Sequence, residues 1–297
     1  MIISNIIGGL GNQMFQYAIG RALSLRFGVP LILDISDFAR YKLHHGFELP
    51  RLFKVPMSIA TPDDMKHVLG WQYNQIVKRL LVRHFFKHLR PKNFIVEPHF
   101  HHWSGINNLA ASCYLYGHWQ SASYFNDFEN VIRSDFQFKN PLDENNKNVA
   151  GLITNSNSIS LHIRRGDYVN NSQNLLRHGL CSVGYYQNAV EFILHHVVEP
   201  TIFVFSDDID WARHNLNLSV PSYFISHNTG PNSYIDMQLM SLCRHHIIAN
   251  SSFSWWGAWL ASWEKQIVIA PQPWFEDAQM DTRNLTLPNW YLLPRSV

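Results

Sequence analysis

The second half of the chain alternates between short β-branched runs and longer amphipathic runs, and this alternation restricts the fold more than any other feature. The runs predict strands at 159–163, 202–205, 222–225, 247–249 and 267–269, and helices near 185–196, 209–215, 233–243 and 254–262. Strands that alternate with helices build parallel, doubly wound sheets covered by helices on both faces. We therefore expect the second half to be an α/β domain of the Rossmann type.

The first half begins with a similar unit. Residues 2–7 read as a strand, 8–11 as a Gly-rich turn, 14–27 as a helix and 31–35 as a second strand, which together predict a βαβ unit. Two Rossmann-like domains facing each other across a cleft are the architecture that these two halves favour.

The stretch 140–157 is rich in Asn, Ser, Asp and Lys and predicts an interdomain linker. We place the boundary inside it, with domains at 1–148 and 149–297.

Composition narrows the function classes. Of 297 residues, 46% are apolar and 15% are charged, and the net charge of +2 does not indicate a nucleic-acid partner. The three Cys are far apart and form no C-x-x-C pair, so we expect reduced thiols in a cytoplasmic protein. Neither a signal peptide nor an apolar run of 18 residues is evident.

The candidate site centres on residues 158–169, which read Ser-Ile-Ser-Leu-His-Ile-Arg-Arg-Gly-Asp-Tyr-Val. A strand that ends directly in Arg164 and Arg165 places two guanidinium groups at the edge where open α/β sheets bind ligands. Arg suits a diphosphate because its planar fork holds two oxygens at once. Asp167 would orient one guanidinium, and His162 would face the crevice. A surface salt bridge is the alternative interpretation.

These residues, taken with three other stretches, resemble the fucosyltransferase superfamily, and most of all the bacterial α1,2-fucosyltransferases of glycosyltransferase family 11. The matching stretches occur in the family's order at 8–16, 162–168, 205–208 and 236–256. The resemblance implies the GT-B fold and an inverting transfer of L-fucose from GDP-β-L-fucose to the 2-hydroxyl of a galactose. The acceptor glycan would belong to a bacterial surface polysaccharide. The resemblance also implies that no metal or other cofactor is needed.

The resemblance assigns residues to the donor. It places Arg164 at the β-phosphate, Arg165 at the crevice or the acceptor side, and Asn12 near the phosphates. Gly11 and Gln13 lie beside Asn12 at a helix N-terminus, where backbone N–H groups attract anions. A simple tight turn is the other interpretation of this Gly-rich stretch.

A second phosphate-binding stretch is expected where a strand enters a helix at Asn250, Ser251, Ser252 and Phe253. A helix N-terminus with hydroxyl groups at the end of a parallel strand is a phosphate site, although the same residues also suit a routine N-cap.

Asp236 is assigned to guanine, because a carboxylate accepts from both N1–H and the 2-amino group. His162 is expected at the base or the ribose. A solvent-facing Asp in the first turn of a helix is the alternative for Asp236. Supporting contacts are expected from Ser206, Asp207 and Asp208.

The catalytic set is Arg164, Asp167 and Asn12. A base for the acceptor hydroxyl is not fixed by the sequence. Asp167 is the nearest matched acid, and the α1,6 branch has a Glu where this chain has Ser172. A loose displacement with phosphate as the proton acceptor is one alternative, and further candidates are His44, His45 and His118.

Two weaker patterns remain. The basic segment 77–92 predicts an amphipathic helix that would touch a membrane surface, or an ordinary surface helix. The histidines at 99, 101 and 102 do not predict a metal site, since neighbouring residues in a loop seldom converge on one ion. Two rivals for the function stay open: a fucosyltransferase of another linkage such as α1,3, and a non-catalytic protein that binds a GDP-sugar or a glycan.

Overall fold

The structure is a computed structural model that describes residues 1–40, 44–166, 169 and 172–296. It divides into two compact units. The first unit comprises Met1–Lys139 with Arg283–Leu285, and the second comprises Asn140–Thr282 with Thr286–Val297.

The first unit contains a parallel five-stranded sheet. Its strands are β1 (Ile2–Asn5), β2 (Leu31–Asp34), β3 (Ser58–Ile59), β4 (Phe94–Val96) and β5 (Cys113–Tyr116). Its α-helices, among the described residues, are α1 (Leu10–Phe27), α2 (Leu49–Leu52), α3 (Pro62–Leu69), α4 (Gln75–Val82) and α5 (Glu129–Asp135). The spatial order is β3-β2-β1-β5-β4, so β2 and β3 lie on one side of β1, and β5 and β4 lie on the other. The Gly-rich turn after β1 therefore lies at a topological switch point, where α/β sheets bind ligands.

The second unit contains a parallel six-stranded sheet. Its strands are β6 (Asn157–Ile163), β7 (Pro200–Ser206), β8 (Ser222–Ile225), β9 (His245–Ile247), β10 (Val268–Gln272) and β11 (Tyr291–Pro294). Its described helices are α6 (Glu144–Thr154), α7 (Ser172–His178), α8 (Val183–His196), α9 (Ile209–Asn215), α10 (Tyr234–Met240) and α11 (Ser252–Leu260).

The strand order of the second sheet is β11-β10-β9-β6-β7-β8. This is the Rossmann order, with the switch point between β6 and β9. The β6 side chains Ile159, Leu161 and Ile163 are fully buried. They pack with Tyr185 and Ile202 in the core of this unit. The polar residues between them, Ser158, Ser160 and His162, are buried as well. β6 is therefore a central strand covered on both faces, and its C-terminal end lies at the crevice.

The prediction of parallel α/β sheets is confirmed for each unit. The prediction of a linker at 140–157 is wrong over most of its length, because Glu144–Thr154 is a helix of the second unit. Asp143 caps this helix by accepting from the Asn146 backbone N–H, and Asn146 is fully buried. The sequence-based boundary at residue 148 lies inside the helix, and the division between units falls at 139/140.

The segment 77–89 also differs from its prediction. The helix ends at Val82, and a 3-10 helix follows at His84–Leu89. The apolar spacing is four residues throughout, but Phe85 and Leu89 are exposed instead of joining Leu81 in the core. Lys78, expected on a solvated basic face, is buried against Asp34.

Candidate active site

Arg164 follows β6 directly and is held by a carboxylate from the neighbouring strand. Ile163 pairs with Ser206 in the parallel register, which brings Asp207 beside Arg164. The Arg164 Nη1 to Asp207 Oδ2 distance is 2.9 Å. The Arg165 backbone N–H donates to the other oxygen, Oδ1, at 2.8 Å. One carboxylate, that of Asp207, thus holds both the Arg164 guanidinium and the backbone of the turn that follows β6.

Gly166 is required by this close approach. A Cβ at position 166 would lie 2.8 Å from the Asp207 Oδ2. A larger residue there would push the carboxylate away from Arg164.

Arg165 is committed to structural contacts. Its Nε lies 3.2 Å from the Asp208 Oδ2, and its guanidinium stacks 4.0 Å from the centroid of the Trp211 ring. Asp208 also caps α9 by accepting from the Trp211 backbone N–H, while Ser206 Oγ accepts from the Asp208 N–H. Cation–π stacking with an ion pair fixes Arg165 against α9, so Arg164 is the better placed of the two to contact a ligand.

The N-terminus of α11 lies at the same edge of the sheet. β9 is the other neighbour of β6, and α11 begins at Ser252, five residues after β9. The Ser251 hydroxyl accepts from the Phe253 N–H at 3.3 Å, and the His162 and Phe253 rings are 5.6 Å apart. The positive end of a nine-residue helix and the Arg164 turn therefore meet at the switch point, and both favour an anion.

Asn250 has a structural role that the sequence did not indicate. Its side chain is buried, and its Nδ2 donates to the backbone carbonyls of His178, Gly179 and Trp274. This amide joins three segments beneath the α11 N-terminus. The N–H groups of its side chain are thus directed to backbone carbonyls of the same unit.

His162 is buried beneath this edge. Burial lowers the pKa of His162 to about 4, while Asp207 raises it and Arg164 lowers it. The ring is therefore neutral at physiological pH. Among the described residues its buried Nδ1 has no hydrogen-bond partner, which is uncommon for a buried polar atom.

Asp236 lies on α10, which packs against α11. Its Oδ1 accepts from Asn228 Nδ2 at 2.8 Å, and Asn228 in turn bonds to Asn146 of α6. Burial raises the pKa of Asp236 to about 7, although the bond from Asn228 lowers it. A carboxyl group whose pKa is raised by burial is a candidate functional group. The sequence missed Asn228 and Asn146, because neither stands in a recognisable motif.

In the first unit, the Gly-rich turn positions Asn12. Gly8 has a φ of +91°, a conformation that favours glycine. The Asn12 Oδ1 accepts from Gln120 Nε2 at 2.7 Å. Gln120 belongs to the loop that follows β5, the neighbour of β1 at the switch point. Asn12 is thereby oriented at the sheet edge.

Gln13 is not available to a ligand. It is fully buried, and its Nε2 donates to the carbonyls of Gly8 and Gly46 while its Oε1 accepts from the Glu48 N–H. Gly11 lies in the first turn of α1 and is buried. Of the three residues predicted here, only Asn12 has a partly exposed side chain.

Glu97 is a further titratable group at this edge. It follows β4, and its carboxylate accepts from the backbone N–H groups of His118 at 2.7 Å and Trp119 at 2.9 Å. Burial raises the pKa of Glu97 to about 7, and both backbone bonds lower it. Glu97 thus holds the loop that carries Gln120. An acid directly after a short strand was the signal for it in the sequence.

Asp167, which the sequence analysis assigns to the catalytic set, lies outside the described residues.

The part of the chain that the structure describes contains no group of three or more His, Cys, Asp or Glu side chains able to hold a metal ion. His99 and His101 stack with ring centroids 3.6 Å apart instead of converging on one point. No described helix is long and apolar enough to cross a membrane.

Known structures share this fold. The α1,6-fucosyltransferase NodZ, crystallised with GDP, matches with a TM-score of 0.53 at 12% identity, over 86% of this chain and 91% of that one. The selenomethionine form of the fucosyltransferase NodZ from Bradyrhizobium matches with a TM-score of 0.54, over 86% of this chain and 90% of that one. The two parallel sheets and these neighbours define a GT-B-like α/β fold, the fold of a large class of glycosyltransferases.

Sequence comparison narrows the class. The profile described as Glycosyl transferase family 11 matches residues 57–293. The chain belongs to glycosyltransferase family 11. An α-1,2-colitosyltransferase from Escherichia coli is 36% identical over 98% of both chains. The O-antigen biosynthesis glycosyltransferase WbnK from Escherichia coli is 34% identical over 97% of this chain and 98% of that one. The galactoside α-(1,2)-fucosyltransferase 2 of Rattus norvegicus is 25% identical over 88% of this chain and 67% of that protein.

Proposed function

We propose that this chain is an inverting, metal-independent fucosyltransferase. It transfers L-fucose from GDP-β-L-fucose to the 2-hydroxyl of a galactose in a surface glycan of the O-antigen type. Membership of glycosyltransferase family 11 supports the reaction class. The named activities of the E. coli relatives support the α1,2 linkage and the glycan type.

The observation that carries the proposal is the anion site at the switch point of the second sheet. Arg164, fixed by Asp207 at 2.9 Å, lies beside the N-terminus of α11 with its serine cap. A diphosphate bound there meets a guanidinium and a helix dipole together. As the C1–O bond of fucose breaks, negative charge grows on the leaving GDP. A cation already in place then stabilises the transition state more than the ground state.

Guanine is assigned to Asp236. Its carboxylate can accept from N1–H and from the 2-amino group, a pair of donors that adenine lacks. Asn228 holds one carboxylate oxygen and so fixes the plane of the group. The neutral His162 ring, with its unpartnered Nδ1, would bind the base or the ribose.

The first unit is assigned to the acceptor side. The family resemblance leads us to expect Asn12 near the donor phosphates, and the hydrogen bond from Gln120 gives its amide a fixed orientation. A loose, oxocarbenium-like displacement lets a phosphate oxygen of the donor take the proton of the acceptor hydroxyl. That route needs no side-chain base, and Asp167 is the residue that would serve if one acts.

A second donor is favoured by one observation. The E. coli relative at 36% identity is named a colitosyltransferase, and colitose is L-fucose without its 3-hydroxyl. Donor choice between the two sugars therefore depends on a polar contact to that hydroxyl. A site that pairs the hydroxyl rejects the deoxy sugar strongly, because its own polar group would be left unpaired.

The test is an assay of GDP release from GDP-fucose and from GDP-colitose, with lactose as acceptor and EDTA present throughout. We expect turnover of GDP-fucose and an α1,2 linkage in the product by NMR. Faster turnover of GDP-colitose would assign the second donor. An α1,3 product would overturn the linkage, loss of activity in EDTA would overturn metal independence, and GDP-sugar binding without transfer would leave a non-catalytic protein.

A further inference from the structure

The first unit carries a long stretch of chain without acidic residues. No Asp or Glu occurs between Asp64 and Glu97. The same stretch holds seven Lys and Arg and three His: Lys66, Lys78, Arg79, Arg83, Lys87, Arg90, Lys92, His67, His84 and His88. The chain as a whole has a net charge of only +2. Residues 65–96 therefore carry a local excess of positive charge that the net charge of the whole chain does not reveal.

This stretch is anchored firmly to the sheet of the first unit. Lys78 is buried, with its Nζ 2.6 Å from the Asp34 Oδ2, and Leu81 lies in the core beside Ile3. Burial raises the pKa of Asp34, while the adjacent Lys78 and the hydrogen bonds from Ser36 and Tyr114 lower it, and the net effect is a lowered pKa. At the far end, Arg90 donates to the carbonyls of residues 81 and 82. The outward side of α4 is thus held in a fixed position.

That outward side is both apolar and cationic. Ile76 and Leu80 are 69% and 41% exposed, and Arg79 and Arg83 are exposed beside them. Ile76 and Leu80 are four residues apart and form a row along α4. Arg79 lies in the same helix, and Arg83 directly follows its end.

Three more large apolar side chains are exposed in the segments that flank α4 in the chain. Trp71, just before α4, is 74% exposed, and Phe85 and Leu89, just after it, are 86% and 65% exposed. Lys87 is exposed between the last two. We call the outward surface of Trp71–Leu89 the basic apolar face.

We propose that the basic apolar face docks on an anionic phospholipid bilayer, with its aromatic and aliphatic side chains at the headgroup boundary and its cations on the lipid phosphates. Apolar and cationic side chains mixed on one fixed surface are the pattern of interfacial membrane contacts. Each Lys or Arg near an anionic leaflet adds to the attraction.

A second copy of the chain fits this face less well. A symmetric dimer pairs a patch with itself, and here it would bring the same cations together. Arg79 has Asp37 at 3.9 Å, but the stretch itself holds no acidic residue to neutralise Arg83 and Lys87. The exposed aliphatic residues, Ile76, Leu80 and Leu89, also offer nothing to the bases of a nucleic acid, which stack on aromatic rings. An anionic lipid surface satisfies the charge and the apolar groups together.

The test is co-sedimentation of the purified protein with vesicles of phosphatidylcholine alone or mixed with phosphatidylglycerol. We expect binding to the mixed vesicles and little to phosphatidylcholine, with weakening at high salt. Replacing Arg83 and Lys87 by Gln should weaken binding about thirtyfold, the effect of removing two cations from an anionic surface. Replacing Phe85 and Leu89 by Ser should weaken it while preserving the salt dependence.

Matched controls lie in the second unit. Lys265→Gln removes an exposed cation, and Val198→Ser removes an apolar side chain that is 78% exposed. Both should bind vesicles as the wild type does. Equal binding by all variants, or no preference for phosphatidylglycerol, would overturn the proposal. So would a dimer in light scattering that disappears in the Phe85 and Leu89 variant, because the face would then belong to a second copy.

Discussion

The pKa of Asp236 gives the sharpest prediction for donor binding. Burial raises the pKa of this carboxyl to about 7, and only the ionised form accepts from both guanine donors. About one tenth of the groups are ionised at pH 6 and about nine tenths at pH 8. The affinity for GDP-fucose should therefore increase about tenfold between these pH values, since binding must first remove the proton.

The free energy of unfolding should decrease as pH rises, in contrast to the affinity for GDP-fucose. The unfolded chain releases this proton near the ordinary pKa of 3.8, whereas the folded chain keeps it to about 7. The unfolded state thus binds fewer protons between these values, and stability falls as pH rises through that window. Asp236→Asn removes this loss, which is up to about 4 kcal/mol at pH 8. The variant should be more stable than the wild type at pH 8 and should bind GDP-fucose poorly at every pH.

The assay is titration calorimetry with GDP-fucose, in the absence of acceptor, from pH 6 to pH 8. GDP-fucose is preferred to GDP because its diphosphate is esterified at both ends and does not titrate in this range. Urea unfolding of both proteins at the same pH values supplies the stabilities. Equal affinity at pH 6 and pH 8, or a pH dependence that survives in Asp236→Asn, would refute the assignment of guanine to this carboxylate.

Three further predictions concern the contacts that hold the site and the first unit. Asp207→Asn should lower kcat about tenfold to a hundredfold while KM changes little, because Arg164 keeps its charge but loses its orientation. An unchanged kcat would remove Asp207 from the site. Asn250→Ala should lower the free energy of unfolding by about 2 kcal/mol, since the buried carbonyls of Gly179 and Trp274 lose this donor, while that of His178 keeps its bond from Arg295. Unchanged stability with a large loss of donor affinity would instead make Asn250 a ligand contact. Lys78→Met should cost about 3–5 kcal/mol in urea unfolding, because the carboxylate of Asp34 stays buried without its partner. A loss under about 1 kcal/mol, the range of an exposed ion pair, would contradict that burial argument.

Much of the second unit could be predicted because its information is local. The alternation of polar and apolar residue types along 158–163 and the turn residues around each helix specify elements without reference to distant parts of the chain. The positions of Arg164 and Ser252 follow from strand ends alone. Their meeting at one edge depends on β6 and β9 being neighbours, which the doubly wound pattern predicts.

The remaining features depend on contacts that sequence patterns do not contain. Lys78 reads as a surface cation, and only the approach of Asp34, 44 residues earlier, explains its burial. The segment 140–157 reads as a linker because its polar residues pair with one another and with Asn228, across 82 residues. Asn250 reads as a ligand residue because its three carbonyl partners come from segments 24 to 72 residues away.

The central claim is that Arg164 at the switch point stabilises charge on the departing GDP. Its most direct test is the single-turnover rate of fucose transfer to lactose at saturating GDP-fucose, in the wild type and in Arg164→Ala. The account predicts a loss of at least about a thousandfold in that rate, the scale of a removed transition-state contact. A variant that transfers fucose at nearly the wild-type rate would contradict it.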